Sequence, residues 1–204
     1  MATIRDIVTR ALRRGGILAQ GETPDGDQGA DALKSLNEMF DAWKVDGVDI
    51  LKQADYELGD TFQFFVPPVD LDGSLAHSLI YQATWNASTN SPSLASSTGT
   101  EGYVYRVATA GSTTLDDVTS WAVNDYAVFD GNVWLKSRSA DQHRNAVTAL
   151  LAVRLCSDYG VAVPPLVAAE AMAGLSMILA QFNPPYEPTF DSALIMTSGR
   201  RTWL

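Results

Sequence analysis

Apolar residues recur every three or four positions in four stretches of the chain, and this period predicts four helices. The first stretch begins after Thr3, which can cap a helix together with Asp6, and stops at Gly15. The second is marked by the apolar residues of 32–43 and closes at Gly47. Each of these two helices has one apolar face, so we expect them to pack against each other.

The second pair of predicted helices lies after residue 138. Ala146 to Cys156 carries the same period and ends near Tyr159-Gly160. Pro164-Pro165 then starts a fourth helix that is apolar on nearly all sides. Such a helix needs cover all round, either from the other three helices or from a neighbouring subunit. Its apolar run from Leu166 to Ala180 is shorter than the roughly 20 residues of a bilayer span, so no membrane contact is expected.

Between the two helical pairs the pattern changes to short β-branched and aromatic runs separated by Gly, Ser, Thr, Asn and Asp. Ile50 to Val66 favours one or two short strands before the break at Pro67-Pro68. The following residues predict a small antiparallel β unit in which Asp130-Gly131-Asn132 joins two strands as a hairpin. The low apolar content of Asn86 to Gly102 predicts an extended or mobile surface loop. The candidate strands are Gly102 to Ala108, Tyr126 to Phe129 and Val133 to Lys136.

These patterns predict an α+β chain: a four-helix body interrupted by an inserted, small antiparallel β-rich domain and followed by an extended C-terminal tail. We expect residues 1–66 and 139–182 to form the two halves of the helical body and 67–138 to form the inserted module. Residues 183–204 begin with a proline-rich run and continue with scattered large apolar residues. That composition predicts a segment that becomes ordered on a partner.

Charge separates the middle of the chain from its flanks. The net charge is −10, and residues 53–135 hold ten acidic residues against one basic residue, Arg106. This balance disfavours non-specific binding of nucleic acid by the surface as a whole. The arginines of the first helix are predicted to be a solvated face in preference to a phosphate site or an acidic-partner site; they are Arg5, Arg10, Arg13 and Arg14. The N-terminus lacks a signal-peptide pattern, which predicts synthesis in the cytoplasm.

No pattern indicates an enzyme, a cofactor or a metal. The only histidines are His77 and His143, and the only cysteine is Cys156, within a helical pattern that predicts burial. Acidic pairs such as Asp116 with Asp117 could be proposed as glycosidase carboxylates, but a solvated surface explains them better. The aromatic residues Trp121, Tyr126 and Trp134 favour the core of a small β unit over an exposed platform for stacking on sugars, or a contact with tail proteins.

The helical parts resemble a known family. The run Thr3-Ile-Arg-Asp-Ile-Val-Thr-Arg-Ala-Leu-Arg-Arg-Gly-Gly-Ile, followed by Asp31-Ala-Leu-Lys-Ser-Leu-Asn-Glu-Met-Phe-Asp-Ala-Trp-Lys-Val-Asp-Gly, resembles the head-tail adaptors of tailed phages, also called tail accessory factors or packaged-DNA stabilisation proteins. Ala146 to Phe182, with Leu155-Cys-Ser-Asp-Tyr-Gly, is similar to the second half of that fold. The middle, with Trp85-Asn-Ala-Ser-Thr-Asn-Ser-Pro and the Trp121 to Trp134 run, resembles a module of phage tail and fibre proteins that has some likeness to small carbohydrate-binding domains.

The resemblance implies a structural virion protein, made in the host cytoplasm and located at the head-tail interface. Such a protein forms a ring of about twelve copies beneath the portal protein, joins the capsid to the tail nozzle or fibre proteins, and extends a channel through which DNA passes without specific binding. The C-terminal segment would reach the portal through Tyr186, Phe190, Leu194, Ile195, Arg200, Arg201, Trp203 and Leu204. Two alternatives are a glycan-binding attachment module and a peptidoglycan hydrolase of the virion.

Overall fold

The computed structural model describes residues 2–51, 54–68, 71, 79–138 and 143–182, and within them the chain forms four helices and a four-stranded mixed sheet. The class is therefore α+β, as predicted. The helices are α1 (Ile4–Arg14), α2 (Gly26–Val45), α3 (His143–Asp158) and α4 (Pro165–Phe182). The strands are β1 (Ile80–Asn86), β2 (Tyr103–Thr109), β3 (Asp125–Phe129) and β4 (Trp134–Arg138).

Side chains cap the first two helices at the positions where local sequence allows it. The Thr3 backbone N–H donates to Asp6 Oδ2 at 2.8 Å, and the Asp6 N–H donates to Thr3 Oγ1 at 3.2 Å. Hydrogen bonding with Thr3, from its backbone first and its side chain second, lowers the pKa of Asp6. Asp25 and Gln28 form the same box at α2, so that helix begins six residues before its first apolar marker, Ala32.

The sheet has the order β1-β2-β3-β4, and its first pair is parallel. The prediction of an antiparallel unit is wrong for β1 and β2 and confirmed for the other two pairs. A parallel pair needs a connection that returns the chain to the starting end of the sheet, and residues 87–102 supply it as a series of turns. The predicted hairpin is present: Asp130 Oδ1 accepts from the Asn132 and Val133 N–H groups at 2.8 and 2.7 Å, and Gly131 has a φ of +100°.

The segment from residue 54 to residue 66 forms no strand, which corrects the prediction made from its aromatic residues. Its backbone instead lies beside the N-terminus of α1, whose first N–H groups have no partner within the helix. Ile4 N–H donates to the Asp60 carbonyl at 2.8 Å, and Arg5 N–H donates to the Leu58 carbonyl at 3.1 Å. The side chains of Phe62, Phe64 and Phe65 are buried in the main core.

Both faces of the sheet are covered. Val104, Tyr126 and Val128 point to one face and join the core that the helices form. Alternating strand residues, together with residues of the connections between strands, form a second core on the opposite face. It is built from Trp85, Ala87, Leu94, Val107, Leu115, Trp121, Ala127, Phe129 and Trp134. The Ser137 hydroxyl donates to the Val66 carbonyl, so the two ends of the intervening segment lie side by side.

Candidate interaction surfaces

Helix α4 buries only a narrow stripe of its surface. Val167, Ala171, Gly174, Ile178 and Phe182 are its buried residues. On the other side Leu166 and Met172 are 71% and 72% exposed. Of the two alternatives for its cover, the other three helices do not wrap α4 on all sides, and Leu166, Met172 and Met177 stay exposed. We call the exposed residues other than Pro165 and the charged Glu170 the α4 face; they are Leu166, Ala169, Met172, Ala173, Ser176, Met177 and Ala180.

The buried stripe of α4 lies close against α3. A Cβ atom added at Gly174 would lie 2.5 Å from the Ala146 Cβ, so glycine is what allows this approach. At the edge of the contact, Arg14 of α1 forms an ion pair with Glu170 at 2.9 Å. Through these contacts α3 and α1 hold α4 in place while its outer side stays open.

Among the residues described, α4 alone is long and apolar enough to cross a bilayer when judged by length and composition. Within that 18-residue window 28% of the residues are buried. Apolar helices of soluble proteins pass the same test, so the prediction of no membrane contact stays a prediction.

The three aromatic residues considered for sugar stacking are all buried. Trp121, Tyr126 and Trp134 are 2%, 3% and 3% exposed. The Trp121 ring meets Trp85 edge to face at 5.1 Å between centroids, and Tyr126 meets Phe65 in the same way at 5.2 Å. None of the three rings presents a face to a sugar in this conformation, which agrees with the core role that the sequence favoured.

The indole N–H groups of the module hold its connecting turns in place. Trp85 Nε1 donates to Asn90 Oδ1 at 3.1 Å, and Trp121 Nε1 donates to the Thr113 carbonyl at 2.9 Å. Trp134 Nε1 donates to the Ala95 carbonyl at 2.9 Å. The segment predicted as an extended or mobile loop is thus a compact set of turns, because each buried indole needs an acceptor and the turn carbonyls supply it.

Asp116 lies in the connection between β2 and β3 and is hydrogen-bonded both to the connection between β1 and β2 and to β4. Its carboxylate accepts from the Trp134 N–H at 2.6 Å and from the Ser97 hydroxyl at 3.0 Å, and its own N–H donates to Ser96 Oγ at 2.7 Å. Sequence patterns offered it only as half of an acidic pair. The structure gives it three structural hydrogen bonds that no local spacing indicates.

A pocket of about 360 Å³ lies between residues 50–63 and the strands β2 and β3. Arg106, the one basic residue of the acidic middle, lines it together with Tyr56, Gln63 and Tyr126. Burial raises the pKa of Tyr56 to about 12 and also raises the pKa of Tyr126. The Tyr56 hydroxyl donates to the Gln63 carbonyl at 2.8 Å, so these phenols serve as neutral hydrogen-bonding groups of the wall.

An open groove of about 690 Å³ runs beside α1 and collects arginines from two helices. Arg5, Arg10 and Arg13 come from α1, and Arg144 comes from the first turn of α3. We call it the arginine groove. Arg14 is not part of it, since that side chain turns to Glu170.

Within the described part of the chain, no three His, Cys, Asp or Glu side chains are grouped as metal ligands. Cys156 is buried next to the Gly15 carbonyl, with 3.5 Å between Sγ and O, and desolvation raises the pKa of its thiol. His77 and the eight residues assigned to portal contact, Tyr186 to Leu204, lie outside the described residues.

No family model and no curated protein matches this chain.

Proposed function

We propose that this chain is a structural subunit of the head-tail junction of a tailed phage. In this role it assembles into a ring beneath the portal protein, and DNA passes through the ring. The proposal combines the sequence resemblance of α1 to α4 with one physical observation, the α4 face. The inserted module then faces tail nozzle or fibre proteins, and residues 183–204 contact the portal.

The α4 face supports this role because a stable soluble monomer rarely leaves a contiguous apolar helix surface in water. Leu166 and Met172 lie six residues apart on α4 and are both more than two-thirds exposed. Ala169, Ala173 and Ala180 lie between and beyond them, so an approaching helix would meet short side chains flanked by larger ones. A ring made by a heterologous contact would cover this face once in every subunit.

Met172→Glu tests the α4 face. We expect the variant to remain folded, because Met172 makes no part of the buried stripe, and to lose ring formation with portal, because a charge would be desolvated at the subunit contact. Val45→Glu is the matched control: Val45 is 87% exposed on α2, and the substitution brings the same charge change. The measurement is electron microscopy of each full-length protein mixed with the portal protein of the same phage.

Three results of this experiment are distinguishable. Rings with wild type and Val45→Glu, but none with Met172→Glu, support both the function and the interface. Rings with all three proteins would show that the subunit contact does not involve the α4 face. If wild-type protein forms no ring and does not bind portal, the proposed function is wrong.

Removing residues 183–204 tests the tail separately. We expect the shortened chain to keep the circular dichroism and melting temperature of the helical body, since the described core ends at Phe182. It should no longer join portal-bearing capsids. Normal joining by the shortened chain would contradict the portal assignment of Tyr186 to Leu204.

A further inference from the structure

The arginine groove places an unusual local charge on an acidic protein. Arg5, Arg10, Arg13 and Arg144 line it, and Asp6 is the only acidic residue among the described lining residues. Asp6 accepts the Thr3 N–H in the helix cap, and Arg10 and Arg144 both lower its pKa through their charge. The groove therefore keeps an excess of positive charge, although the whole chain carries −10.

Several guanidinium donors in the groove are not used by the protein itself. Arg13 donates from one terminal nitrogen to the Glu22 carbonyl, but its Nε has no hydrogen-bond partner. The Nε of Arg144 is buried and lacks a partner too. Among the described residues, none of the four guanidinium groups forms an ion pair. Both Nε atoms are inaccessible to solvent, so an oxyanion in the groove would bind the terminal guanidinium nitrogens instead.

Helix ends add to the attraction for anions. Arg144 is the second residue of α3, and Arg5 is the second residue of α1, so the N-termini of both helices are at this groove. Unpaired N–H groups and the helix dipole make an N-terminus electropositive. At α1 the capping box and residues 58–60 already use these groups, which leaves the arginines as its main donors.

The lining of the groove selects the class of ligand. Apart from the arginines and Asp6, the described residues of the lining are Ala2, Thr9 and Thr23, and none of these is aromatic or a large aliphatic. Most protein interfaces and amphipathic membrane contacts form around apolar anchors, and the described lining offers none. Contacts with a phosphodiester backbone need only guanidinium groups, hydroxyls and N–H groups. From Arg5 to Arg13 the helix extends about 12 Å, which is long enough to reach about two neighbouring phosphates of one DNA strand.

We propose that the arginine groove is a sequence-independent binding site for the phosphate backbone of duplex DNA. Arginine forks bind non-bridging phosphate oxygens, and the hydroxyls of Thr9 and Thr23 add polar contacts. The acidic remainder of the surface limits the affinity and confines the contact to this face. The site belongs to the single chain and does not rest on ring formation.

The test is fluorescence anisotropy of a fluorescein-labelled duplex of about 30 base pairs and arbitrary sequence, titrated with the full-length chain at about 50 mM salt and above. The test variant is Arg5→Gln/Arg10→Gln; both side chains are exposed, so the fold should be retained. The control is Lys34→Gln/Lys44→Gln on α2, which removes the same charge from two exposed residues. Circular dichroism verifies the fold of each protein.

We expect wild type and the lysine variant to bind with affinities within about two-fold of each other. The arginine variant should bind at least about ten-fold more weakly, and its plot of log affinity against log salt should be less steep by about two units, because each lost phosphate contact removes about 0.9. Equal weakening by both variants would reduce the effect to overall charge and overturn the site. No binding by wild type at the lowest salt also overturns it.

Two further measurements separate this inference from its rivals. Poly-glutamate that displaces the duplex more effectively than unlabelled DNA of equal charge would assign the groove to an acidic protein and overturn the proposal. Ring formation by the arginine variant is then examined by electron microscopy with portal. Rings formed by the arginine variant together with its loss of DNA binding leave both proposals standing, whereas wild-type protein that binds DNA but forms no ring leaves only this one.

Discussion

Gly174 determines how closely α4 approaches α3. A Cβ at this position would lie 2.5 Å from the Ala146 Cβ and 2.9 Å from its Cα, and neither atom can rotate away. Gly174→Ala gains about 1 kcal/mol in helix propensity but overpacks the contact by about 1 to 3 kcal/mol. Because rigid atoms meet, we expect a net loss of about 1 to 2 kcal/mol in the free energy of unfolding, measured by urea denaturation.

The double variant Ala146→Gly/Gly174→Ala is the control for this contact. Glycine at 146 makes room for the new methyl group, so the double variant should be more stable than the sum of the two single changes by about 1 kcal/mol or more. Simple additivity would show that the two positions do not limit the approach of the helices.

His143 gives the folded chain a pH dependence. Its imidazole is fully buried with 4.7 Å between its centroid and that of Phe64, and desolvation lowers its pKa. The unfolded chain binds a proton near pH 6.5, while the folded chain resists it. The free energy of unfolding is therefore not reduced by His143 above about pH 6.5. As the pH falls from there toward the lowered folded pKa, it decreases by at most about 1.4 kcal/mol per pH unit.

His143→Leu should flatten this dependence between about pH 7 and pH 5, measured by denaturant unfolding at each pH. His77→Gln is the control, since the chain has only two histidines, and should retain the slope. Asp6 has a lowered pKa, so its contribution is present above its unfolded value of 3.8 and falls away only in more acidic solution, outside this window. An unchanged slope in His143→Leu would contradict the assignment.

At the scale of elements, the β module is organised by its turns as much as by its strands. Asp116 links the β1–β2 and β2–β3 connections to β4, and it has a φ of +50°. Asp116→Ala would leave the Trp134 N–H without its acceptor and place alanine in a left-handed conformation, so we expect a loss of about 2 to 4 kcal/mol. Tryptophan fluorescence during unfolding measures it, because Trp85, Trp121 and Trp134 all lie in this core.

Two neighbouring changes make this prediction specific. Asp116→Asn keeps one acceptor and tolerates the positive φ, so it should cost less than Asp116→Ala. Asp117→Ala changes the exposed adjacent carboxylate and should stay within about 0.5 kcal/mol of wild type. Equal effects of Asp116→Ala and Asp117→Ala would argue against a structural role for Asp116.

At the scale of the whole molecule, the sheet belongs to two cores at once. Val104, Tyr126 and Val128 complete the helical core. At about 1.5 to 3 kcal/mol for each large buried side chain, their loss approaches the whole stability of an ordinary domain. We therefore expect that replacing residues 67–138 by a short Gly-Ser linker leaves a body that binds a hydrophobic dye and unfolds without cooperativity.

The linker itself should be tolerated, because the Ser137 hydroxyl contacts the Val66 carbonyl and the gap to be closed is small. The control inserts the same linker after Gly131, at the hairpin tip, where both cores stay complete. Cooperative unfolding of the shortened body at the wild-type melting temperature would show that the helices form an independent domain.

The sequence by itself determined the features that depend on neighbours along the chain. The helical periods, the Thr3–Asp6 cap and the Asp130-Gly131 hairpin are local, and all of them are present in the structure. Trp121 and Trp134 were also correctly predicted to lie in the core of the β unit, because so small a unit must bury its large side chains, whereas Tyr126 lies in the helical core.

Only the tertiary structure decided the features that join distant segments. The parallel pairing of β1 with β2, the attachment of residues 58–62 to α1, and the meeting of Arg144 with the α1 arginines all bring together residues far apart in sequence. The same holds for α4: its composition required cover, but which side α3 covers follows from the close approach at Gly174. Periodicity reports what one segment can bury, whereas packing among several segments decides which surface remains open to a partner.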